Sequence, residues 1–301
     1  MDLVFYDFET TGKEPHWDQI LQVGATKVSK EFNEIDTFEF RSRLKPGLIP
    51  SPFALAVNNT DYAKLIKTEC SHYEMLRKIE DKFTKWSPSI FIGYNSINFD
   101  EEFLRNSLFR ALLDPYLTSR NNNNRADLLE LLRTVDFFFP DTINIPVNNK
   151  NKKTFKLDQI APANSITHFA HDALGDVIAT KQLAKLISQR KPTFWHSFLE
   201  GSNKSLVYKV LSEEKIVFFC QTFFGKTTAI SGSFLFNHPI YKFPVLFDLN
   251  FDPRELVELN LRDLKDVYTG GQRFLKFVKA NKGPILLTKN QIEYSWFFNS
   301  I

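Results

Sequence analysis

Two acidic residues interrupt a run of aromatic and branched residues near the start of the sequence. Asp7 and Glu9 lie in residues 4–12, which read VFYDFETTG. Such a run predicts a strand buried on both faces, and side chains two positions apart then share one face at its carboxyl end. Two carboxylates held away from water need a compensating cation, and oxygen ligands favour Mg²⁺ or Mn²⁺ over zinc. We interpret the pair as a candidate metal site; the alternative is that Asp7 caps a turn and Glu9 is solvated beyond the strand.

A third carboxylate, that of Asp100, follows a short apolar run at residues 89–93 and a polar turn. In an α/β sheet, a turn from strand to helix lies at the edge where ligands bind, so we expect Asp100 near Asp7. The alternative is a structural role. Asn98 and Glu101 have the spacing of a capping box, and a carboxylate in the first helical turn complements the helix dipole.

A histidine and two aspartates open a later predicted helix, where residues 171–176 read HDALGD. The positive end of a helix lowers the pKa of an adjacent histidine, so His171 is a candidate proton acceptor near neutral pH. The alternative is a structural histidine. Asp172 has the position of a helix cap. Asp176 is harder to explain as a structural residue, because it lies one turn into a helix with mostly apolar neighbours.

Basic residues between positions 105 and 156 are interleaved with aromatic residues. This combination suits single-stranded nucleic acid, whose phosphates attract cations and whose bases stack on aromatic rings. The alternative is a solvated helix face beside core aromatics. The basic residues are Arg105, Arg110, Arg120, Arg125, Arg133 and Lys156, and the aromatic ones are Phe109, Tyr116 and Phe155.

The elements that would position these side chains follow from the hydrophobic patterns. Strands are predicted at residues 20–28 and 38–44, so the first three strands form an antiparallel meander in a mixed sheet. A helix is predicted at residues 73–83. After a junction at residues 191–203, strand patterns without a catalytic constellation indicate an accessory β domain. These predicted strands lie at residues 215–223, 228–236, 243–249 and 284–288.

The composition limits the class of protein. The 301 residues suffice for one large or two ordinary domains, and a hydrophobic content of 43% is that of a globular chain. A net charge of +3 is weak support for a polyanionic partner. Two cysteines, Cys70 and Cys220, are too few for a disulfide framework or a zinc site and suit a reducing compartment. Without a membrane-length apolar run or an N-terminal signal sequence, the prediction is a cytoplasmic protein.

Taken together and in this order, the Asp-x-Glu pair, Asp100 and the His-x4-Asp pair resemble the DEDD exonucleases of the DnaQ-like superfamily, in the histidine branch (DEDDh). Within it, the sequence is most similar to the bacterial exonuclease I family (exodeoxyribonuclease I). The similarity is strong over residues 1–190 and weaker beyond. The segments that carry it are residues 93–100, 114–116, 127–133, 155–157 and 170–176.

The resemblance implies an α/β fold with two domains. Residues 1–190 would form a DEDDh exonuclease domain, with a ribonuclease H-like mixed five-stranded sheet flanked by helices. Residues 191–301 would form a smaller SH3-like β-rich domain. The family's C-terminal helical region, which helps to enclose the strand, has no counterpart here, so we expect more frequent release of DNA.

The implied activity is 3′→5′ hydrolysis of single-stranded DNA to nucleoside 5′-monophosphates with two Mg²⁺ ions, for which Mn²⁺ would substitute. By the resemblance, Asp7, Glu9 and Asp176 hold the metals, Asp100 completes the set partly through water, and His171 is the general base. The implied substrate contacts are Glu9, Arg105, Tyr116, Arg120, Arg133 and Lys156. Lys156 stands where arginine is expected and Arg120 where an aromatic residue is expected.

The implied partner is single-stranded DNA, and the resemblance allows single-strand DNA-binding protein as a second partner. A monomer without membrane attachment is expected. Two other functions remain open: a DEDDh exoribonuclease acting on short RNA, which would share every catalytic residue, and a catalytically inactive single-strand nucleic-acid-binding module. The inactive module is disfavoured because all five active-site positions carry the expected residues.

Overall fold

The structure is a computed structural model that describes residues 1–58, 60–168, 172–270 and 273–292. The chain divides into two compact units. The first comprises Met1–Glu130 and Ile143–Arg190, and the second Leu131–Thr142 and Lys191–Ile301. The short segment Leu131–Thr142 therefore groups with the second unit, and the domain division at residue 190 stays a prediction.

The first unit contains the mixed five-stranded sheet that was predicted, with strand order β3-β2-β1-β4-β5. β1 pairs antiparallel with β2, which pairs antiparallel with β3, so the predicted meander is confirmed. β1 pairs parallel with β4, and β4 with β5. The strands are β1 (Asp2–Thr10), β2 (Ile20–Val28), β3 (Glu34–Arg41), β4 (Ser89–Gly93) and β5 (Asn124–Asp127).

The central position of β1 follows from its apolar side chains. Leu3, Val4 and Phe5 are fully buried, and Phe8 is 3% exposed with its ring 5.6 Å from that of Tyr6. A strand buried on both faces belongs in the interior of a sheet. The edge strand β3 is mostly exposed, which explains why its predicted bounds of 38–44 are wrong: its first half carries few apolar residues.

Seven α-helices lie in the described part of residues 1–190, and the fifth of them extends into the segment that groups with the second unit. α3 begins with a capping box in which Ser71 accepts the Glu74 N–H and Glu74 accepts the Ser71 N–H. It contains the helix predicted at residues 73–83, and its apolar face joins the core formed with β1 and β2. The helices are α1 (Pro52–Val57), α2 (Tyr62–Lys67), α3 (His72–Trp86), α4 (Asp100–Arg110), α5 (Leu128–Phe138), α6 (Leu157–Ala163) and α7 (Ala173–Arg190).

The second unit contains a four-stranded antiparallel sheet of order β6-β7-β8-β9, which is compatible with the predicted SH3-like region. The strand predicted at residues 284–288 is wrong, because a single bridge, between Leu287 and Phe218, joins this segment to the sheet. The elements are α8 (Pro192–Gly201), α9 (Lys204–Glu213), β6 (Val217–Phe223), β7 (Lys226–Asn237), β8 (Pro244–Asp248), α10 (Arg254–Val257), α11 (Leu261–Thr269) and β9 (Leu275–Phe277).

Apolar side chains from α9 and three of these strands form the core of the second unit. Val207 and Leu211 of α9 pack with Val217, Ile230 and Leu246. Among the helices in the described part of the chain, none has the length and apolar character required to cross a bilayer.

Candidate metal centre

Three carboxylates meet at the carboxyl end of β1. Asp7 and Glu9 are two residues apart on the strand, and Asp176 lies in the first turn of α7. One oxygen atom from each side chain lies within 4.8 Å of the other two. All three residues are half-buried, whereas the intervening Phe8 is buried in the core. Because side chains alternate in direction along a strand, both acidic side chains of β1 lie on the face that meets the start of α7.

A close approach between β2 and α7 brings Asp176 to this position. Gly24 of β2 is the ladder partner of Asp7. A Cβ atom on Gly24 would lie 2.5 Å from the backbone carbon of Ala173 and 2.5 Å from the nitrogen of Leu174. A residue with a side chain would therefore push the helix away, and glycine allows the N-terminus of α7 to lie directly on the sheet.

Polar contacts fix the same end of α7. Asp172 caps the helix by accepting the Gly175 N–H at 3.1 Å, as the capping alternative for this residue supposed. Its Oδ1 atom also accepts hydrogen bonds from Nε2 of Gln22 at 2.8 Å and from the guanidinium of Arg41 at 2.7 Å. Gln22 in turn accepts the Ala173 N–H at 3.4 Å. Strands β2 and β3 therefore hold the helix start beside the carboxylates.

Asp100 lies at the same edge of the sheet but outside the set of three close oxygens. It is 2% exposed, and its Oδ1 atom accepts the backbone N–H of Phe8 at 3.0 Å. Burial raises its pKa well above the usual value of an aspartate, although the hydrogen bonds from the N–H groups of Phe8 and of Asp100 itself oppose the rise. The structure thus links Asp100 to the backbone between Asp7 and Glu9.

The alternative of a capping box between Asn98 and Glu101 is wrong, because the Glu101 carboxylate makes tertiary contacts instead. Its Oε1 atom accepts the Tyr6 hydroxyl at 2.7 Å, and its Oε2 atom accepts the Thr118 hydroxyl at 2.8 Å and the Arg125 guanidinium at 2.9 Å. Glu101 is 6% exposed, and a buried carboxylate requires such partners. This network anchors the helix that begins with the neighbouring residue, Asp100.

The electrostatics of the cluster favour a bound cation. Burial raises the pKa of Asp7 well above its usual value, and the surrounding carboxylates add to the rise. Burial, together with the carboxylates of Asp176 and Asp172, raises the pKa of Glu9 to about 7. The guanidinium of Arg41 opposes this rise. Three crowded carboxylates that supply only oxygen donors fit a hard divalent cation.

A histidine that the sequence did not single out contacts this cluster. Nε2 of His168 lies 2.5 Å from Oδ1 of Asp176, and the His168 side chain is 2% exposed. The predicted general base, His171, lies outside the described residues. His168 lies in a segment without the hydrophobic periodicity of a strand or a helix. The one feature of the sequence that could have indicated its contact with Asp176 is the separation of eight residues.

A cavity of about 290 Å³ opens beside Glu9. Its lining includes Gln22 of β2, Arg41 of β3 and Lys64 of α2. Asp61 lines it as well, so the cavity combines two carboxylates, one of them from the cluster, with two cationic side chains.

The residues predicted to contact the substrate differ in exposure and in the partners that they already have. Arg105 forms an ion pair with Glu102 one turn earlier. Tyr116 is 49% exposed, and the Arg120 guanidinium lies 5.4 Å from the centroid of its ring. Lys156 is exposed in the first unit, whereas Arg133 is half-buried in the segment that groups with the second unit.

Two of the other interleaved basic residues have structural contacts. The Arg110 guanidinium donates hydrogen bonds to the backbone carbonyls of Pro15, His16 and Asp18. Arg125 is the ion-pair partner of Glu101 in the network that anchors α4.

The chain is similar in sequence and in structure to known exonucleases. The exonuclease family model (RNase_T) matches residues 4–184. An exodeoxyribonuclease I of Buchnera aphidicola subsp. Baizongia pistaciae is 30% identical over 97% of this chain, which spans 63% of that relative. The crystal structure of E. coli exonuclease I in complex with a dA16 oligonucleotide has a TM-score of 0.83 and 27% identity, covering 99% of this chain and 68% of that one. An ExoI/SSB-Ct complex has a TM-score of 0.80 and 26% identity, over 99% and 70% of the respective chains.

Proposed function

Because this chain belongs to the exonuclease family, we propose that it hydrolyses single-stranded DNA from the 3′ end and releases nucleoside 5′-monophosphates. The observation that carries the proposal is the meeting of Asp7, Glu9 and Asp176 with their oxygen atoms within 4.8 Å of one another. Crowded carboxylates of this kind hold the divalent cations that phosphodiester hydrolysis uses.

Two Mg²⁺ ions are the proposed cofactors, with Mn²⁺ as a substitute. Asp7, Glu9 and Asp176 would hold them, and Asp100 would complete the set partly through water. Bound metal ions of this type polarise the scissile phosphate, lower the pKa of the attacking water and stabilise the leaving oxygen. The raised pKa values of Asp7 and Glu9 imply that metal binding displaces protons from these carboxyl groups.

The protein's own groups would then position the reacting atoms and move a proton. We assign the general base to His171, which lies outside the described residues. The hydrogen bond from the Phe8 N–H orients the carboxylate of Asp100, and Asp172, held by Gln22 and Arg41, fixes the start of α7.

The proposed substrate follows from the surroundings of the cluster. The cavity beside Glu9, about 290 Å³ in volume, approaches the size at which small-molecule pockets begin, about 300 Å³. It would take the terminal nucleotide, with Lys64 placed to contact its anionic groups. Farther along the strand, we propose contacts with Arg105, Tyr116, Arg120, Arg133 and Lys156.

Partners and state are proposed on the same basis. The solved ExoI/SSB-Ct complex supports single-strand DNA-binding protein as a partner of this chain. We propose a monomer that acts in the cytoplasm, a compartment that suits two cysteines, Cys70 and Cys220, that form no disulfide.

A single assay tests the activity. The protein is incubated with single-stranded DNA that carries a label on its 3′ nucleotide, so that release of this nucleotide can be measured. The reaction is run with and without Mg²⁺ and in parallel with RNA of the same sequence. Wild type is expected to shorten the DNA in Mg²⁺, whereas Asp7→Ala is not. Asp2→Ala, on the same strand but in an ion pair with Lys27, is the matched control and should retain activity. Equal degradation by wild type and Asp7→Ala, or none by either, would overturn the proposal, and preferential cleavage of RNA would favour the exoribonuclease.

A further inference from the structure

The second unit has a cavity of its own, remote in sequence from every residue of the carboxylate cluster. Its volume is about 310 Å³. It lies between α9, the turn that joins β7 to β8, and the segment after β9. Three lysines and three aromatic residues form most of its lining: Lys204, Tyr208, Tyr241, Lys242, Phe243 and Lys279.

The cavity is electropositive. Within the described residues, no carboxylate forms an ion pair with the ammonium groups of Lys204, Lys242 or Lys279. The Lys204 ammonium lies 5.9 Å from the centroid of the Tyr208 ring. Three lysines without acidic partners around one concavity attract an anion, most strongly one that carries several phosphates.

Hydrogen bonds hold the turn in place. Nδ1 of His238 accepts the N–H groups of Ile240 and Tyr241, each at 3.2 Å. The His238 N–H donates to the Phe243 carbonyl at 2.8 Å, and the Lys242 N–H donates to the His238 carbonyl at 2.9 Å. The cavity wall is therefore already built before a ligand binds, which lowers the entropy cost of binding.

A hydrogen bond from α9 fixes the turn to the rest of the cavity. The Tyr208 hydroxyl donates to the Lys242 carbonyl at 2.5 Å. Because the acceptor is a backbone atom, substitution of the Lys242 side chain leaves this hydrogen bond available.

One wall of the cavity is an exposed aromatic ring. The rings of Tyr241 and Phe243 are parallel to within 3°, with centroids 5.6 Å apart. The His238 ring also lies beside Tyr241, with centroids 4.9 Å apart and planes tilted by 41°, yet Tyr241 is 70% exposed. An exposed, supported ring beside lysines is the arrangement on which proteins stack bases of single strands while cations contact the backbone.

From this combination we propose that the cavity binds a nucleotide unit of single-stranded DNA, with its phosphate at the lysines and its base on Tyr241. The volume lies within the range of about 300–1,000 Å³ that is typical of ligand pockets. An acidic peptide needs only the lysines, whereas a nucleotide uses both the lysines and the exposed ring, so the observations favour a nucleotide. The inference rests on the proposed function in taking single-stranded DNA as the ligand.

The test is equilibrium binding of a fluorescein-labelled dT strand to the full chain in EDTA, which prevents hydrolysis, measured by anisotropy at several salt concentrations. Tyr241→Ala is expected to weaken binding about tenfold. The double variant Lys242→Gln/Lys279→Gln should lower the slope of log affinity against log salt by about 0.7 for each phosphate that its side chains no longer neutralise. Phe224→Ala and Lys226→Gln, exposed residues of the β6–β7 turn, are the matched controls and should bind as wild type.

Wild-type affinity and salt slope in both cavity variants would overturn the inference. So would equal binding of an abasic strand, or tighter binding of an acidic peptide than of the dT strand at this cavity. Thermal unfolding of each variant verifies that the second unit is folded. This binding test is independent of catalysis. If strand binding depends on Tyr241 but the nuclease assay is negative, the inference holds and the proposed function fails. If the protein is an active nuclease but Tyr241→Ala binds the strand as wild type does, only this inference is overturned.

Discussion

The backbone N–H of Phe8 donates a hydrogen bond to Oδ1 of Asp100 at 3.0 Å, across 92 positions of sequence. The donor lies between Asp7 and Glu9, so a single hydrogen bond holds the Asp100 carboxylate beside the strand that carries these two acidic residues. Asp100 is thus an acceptor for a buried N–H, and the charge that we propose it contributes to the metal site is a second, separable role.

Substitutions of Asp100 separate these roles. Asp100→Ala leaves the Phe8 N–H unpaired in a buried position, which costs about 1–3 kcal/mol of unfolding free energy. Asp100→Asn retains an acceptor and should cost about 1 kcal/mol or less. Both variants should show a decrease of about 10–100-fold in metal affinity or activity. Urea denaturation and a Mn²⁺ titration measure the two effects, and equal stability of the two variants would contradict the assigned role of the hydrogen bond.

The hydrogen bond between Tyr6 and Glu101 joins the residues that precede Asp7 and follow Asp100. Because a bond to a buried carboxylate contributes more than a neutral one, Tyr6→Phe should lower the unfolding free energy by about 1.5–3 kcal/mol. Glu101→Gln removes the charge that pairs with the half-buried Arg125 and should cost about 1.5–3 kcal/mol. Denaturation curves test both values, with Tyr62→Phe, at an exposed tyrosine, as the control. Decreases below about 0.5 kcal/mol would show that this network does not stabilise the fold.

His168 and His171 should have different effects when substituted. His168 contacts Asp176, and substitution of a residue that orients a metal ligand typically costs about 10–100-fold in metal affinity. We expect this decrease for His168→Ala, with partial recovery in His168→Gln, whose amide nitrogen substitutes for Nε2. His171→Ala should instead lower the turnover rate by about 10²–10⁴-fold, as expected for removal of a general base.

Calorimetric titration with Mn²⁺ and single-turnover kinetics distinguish the two histidines. His196→Ala, which removes an exposed side chain that pairs with Glu200, is the control and should change neither quantity. If His168→Ala bound Mn²⁺ as tightly as wild type, the contact with Asp176 would have no role in positioning the ligand.

The parts of the fold that were predicted correctly depend on short-range regularities. Asp7 and Glu9 share a face because strand side chains alternate, and α3 follows from its helical spacing of apolar residues. The resemblance to the exonuclease I family added the order of the remaining carboxylates, and the exodeoxyribonuclease I relatives confirm the family.

The parts that were not predicted depend on contacts between distant residues. Glu101 has the sequence spacing of a capping residue, but Tyr6 and Arg125 supply stronger partners in the folded chain. His168 lies in a segment without periodicity, so its contact with Asp176 arises from tertiary structure alone. The three-residue strand β9 is too short for a pattern to form.

The buried Asp127 should give the protein a measurable pH dependence. Its carboxylate accepts the N–H groups of Asn95, Ile97 and Leu129, but burial outweighs these bonds and raises its pKa from 3.8 to about 6. Between these values the folded state holds a proton that the unfolded state has released, so stability falls as the pH rises and levels off above about pH 6. Asp127→Asn removes this titration. The unfolding free energy of wild type relative to the variant should therefore fall by about 2 kcal/mol between pH 4 and pH 7. A difference that is constant with pH would contradict the raised pKa.

Gly24 should be intolerant of any side chain, because β2 and α7 are in direct contact there. In Gly24→Ala the new Cβ would lie 2.5 Å from backbone atoms of Ala173 and Leu174, which cannot rotate away as a flexible side chain would. The helix must shift, and overpacking of this kind costs about 1–3 kcal/mol. Because Asp176 moves with the helix, metal affinity should fall together with stability. Gly47→Ala is the control: its left-handed φ of +77° makes the substitution unfavourable, but no atom lies within 4 Å of the new Cβ, so stability should fall without a change in Mn²⁺ affinity. If both variants kept wild-type Mn²⁺ affinity, the position of Asp176 would not depend on the close packing at Gly24.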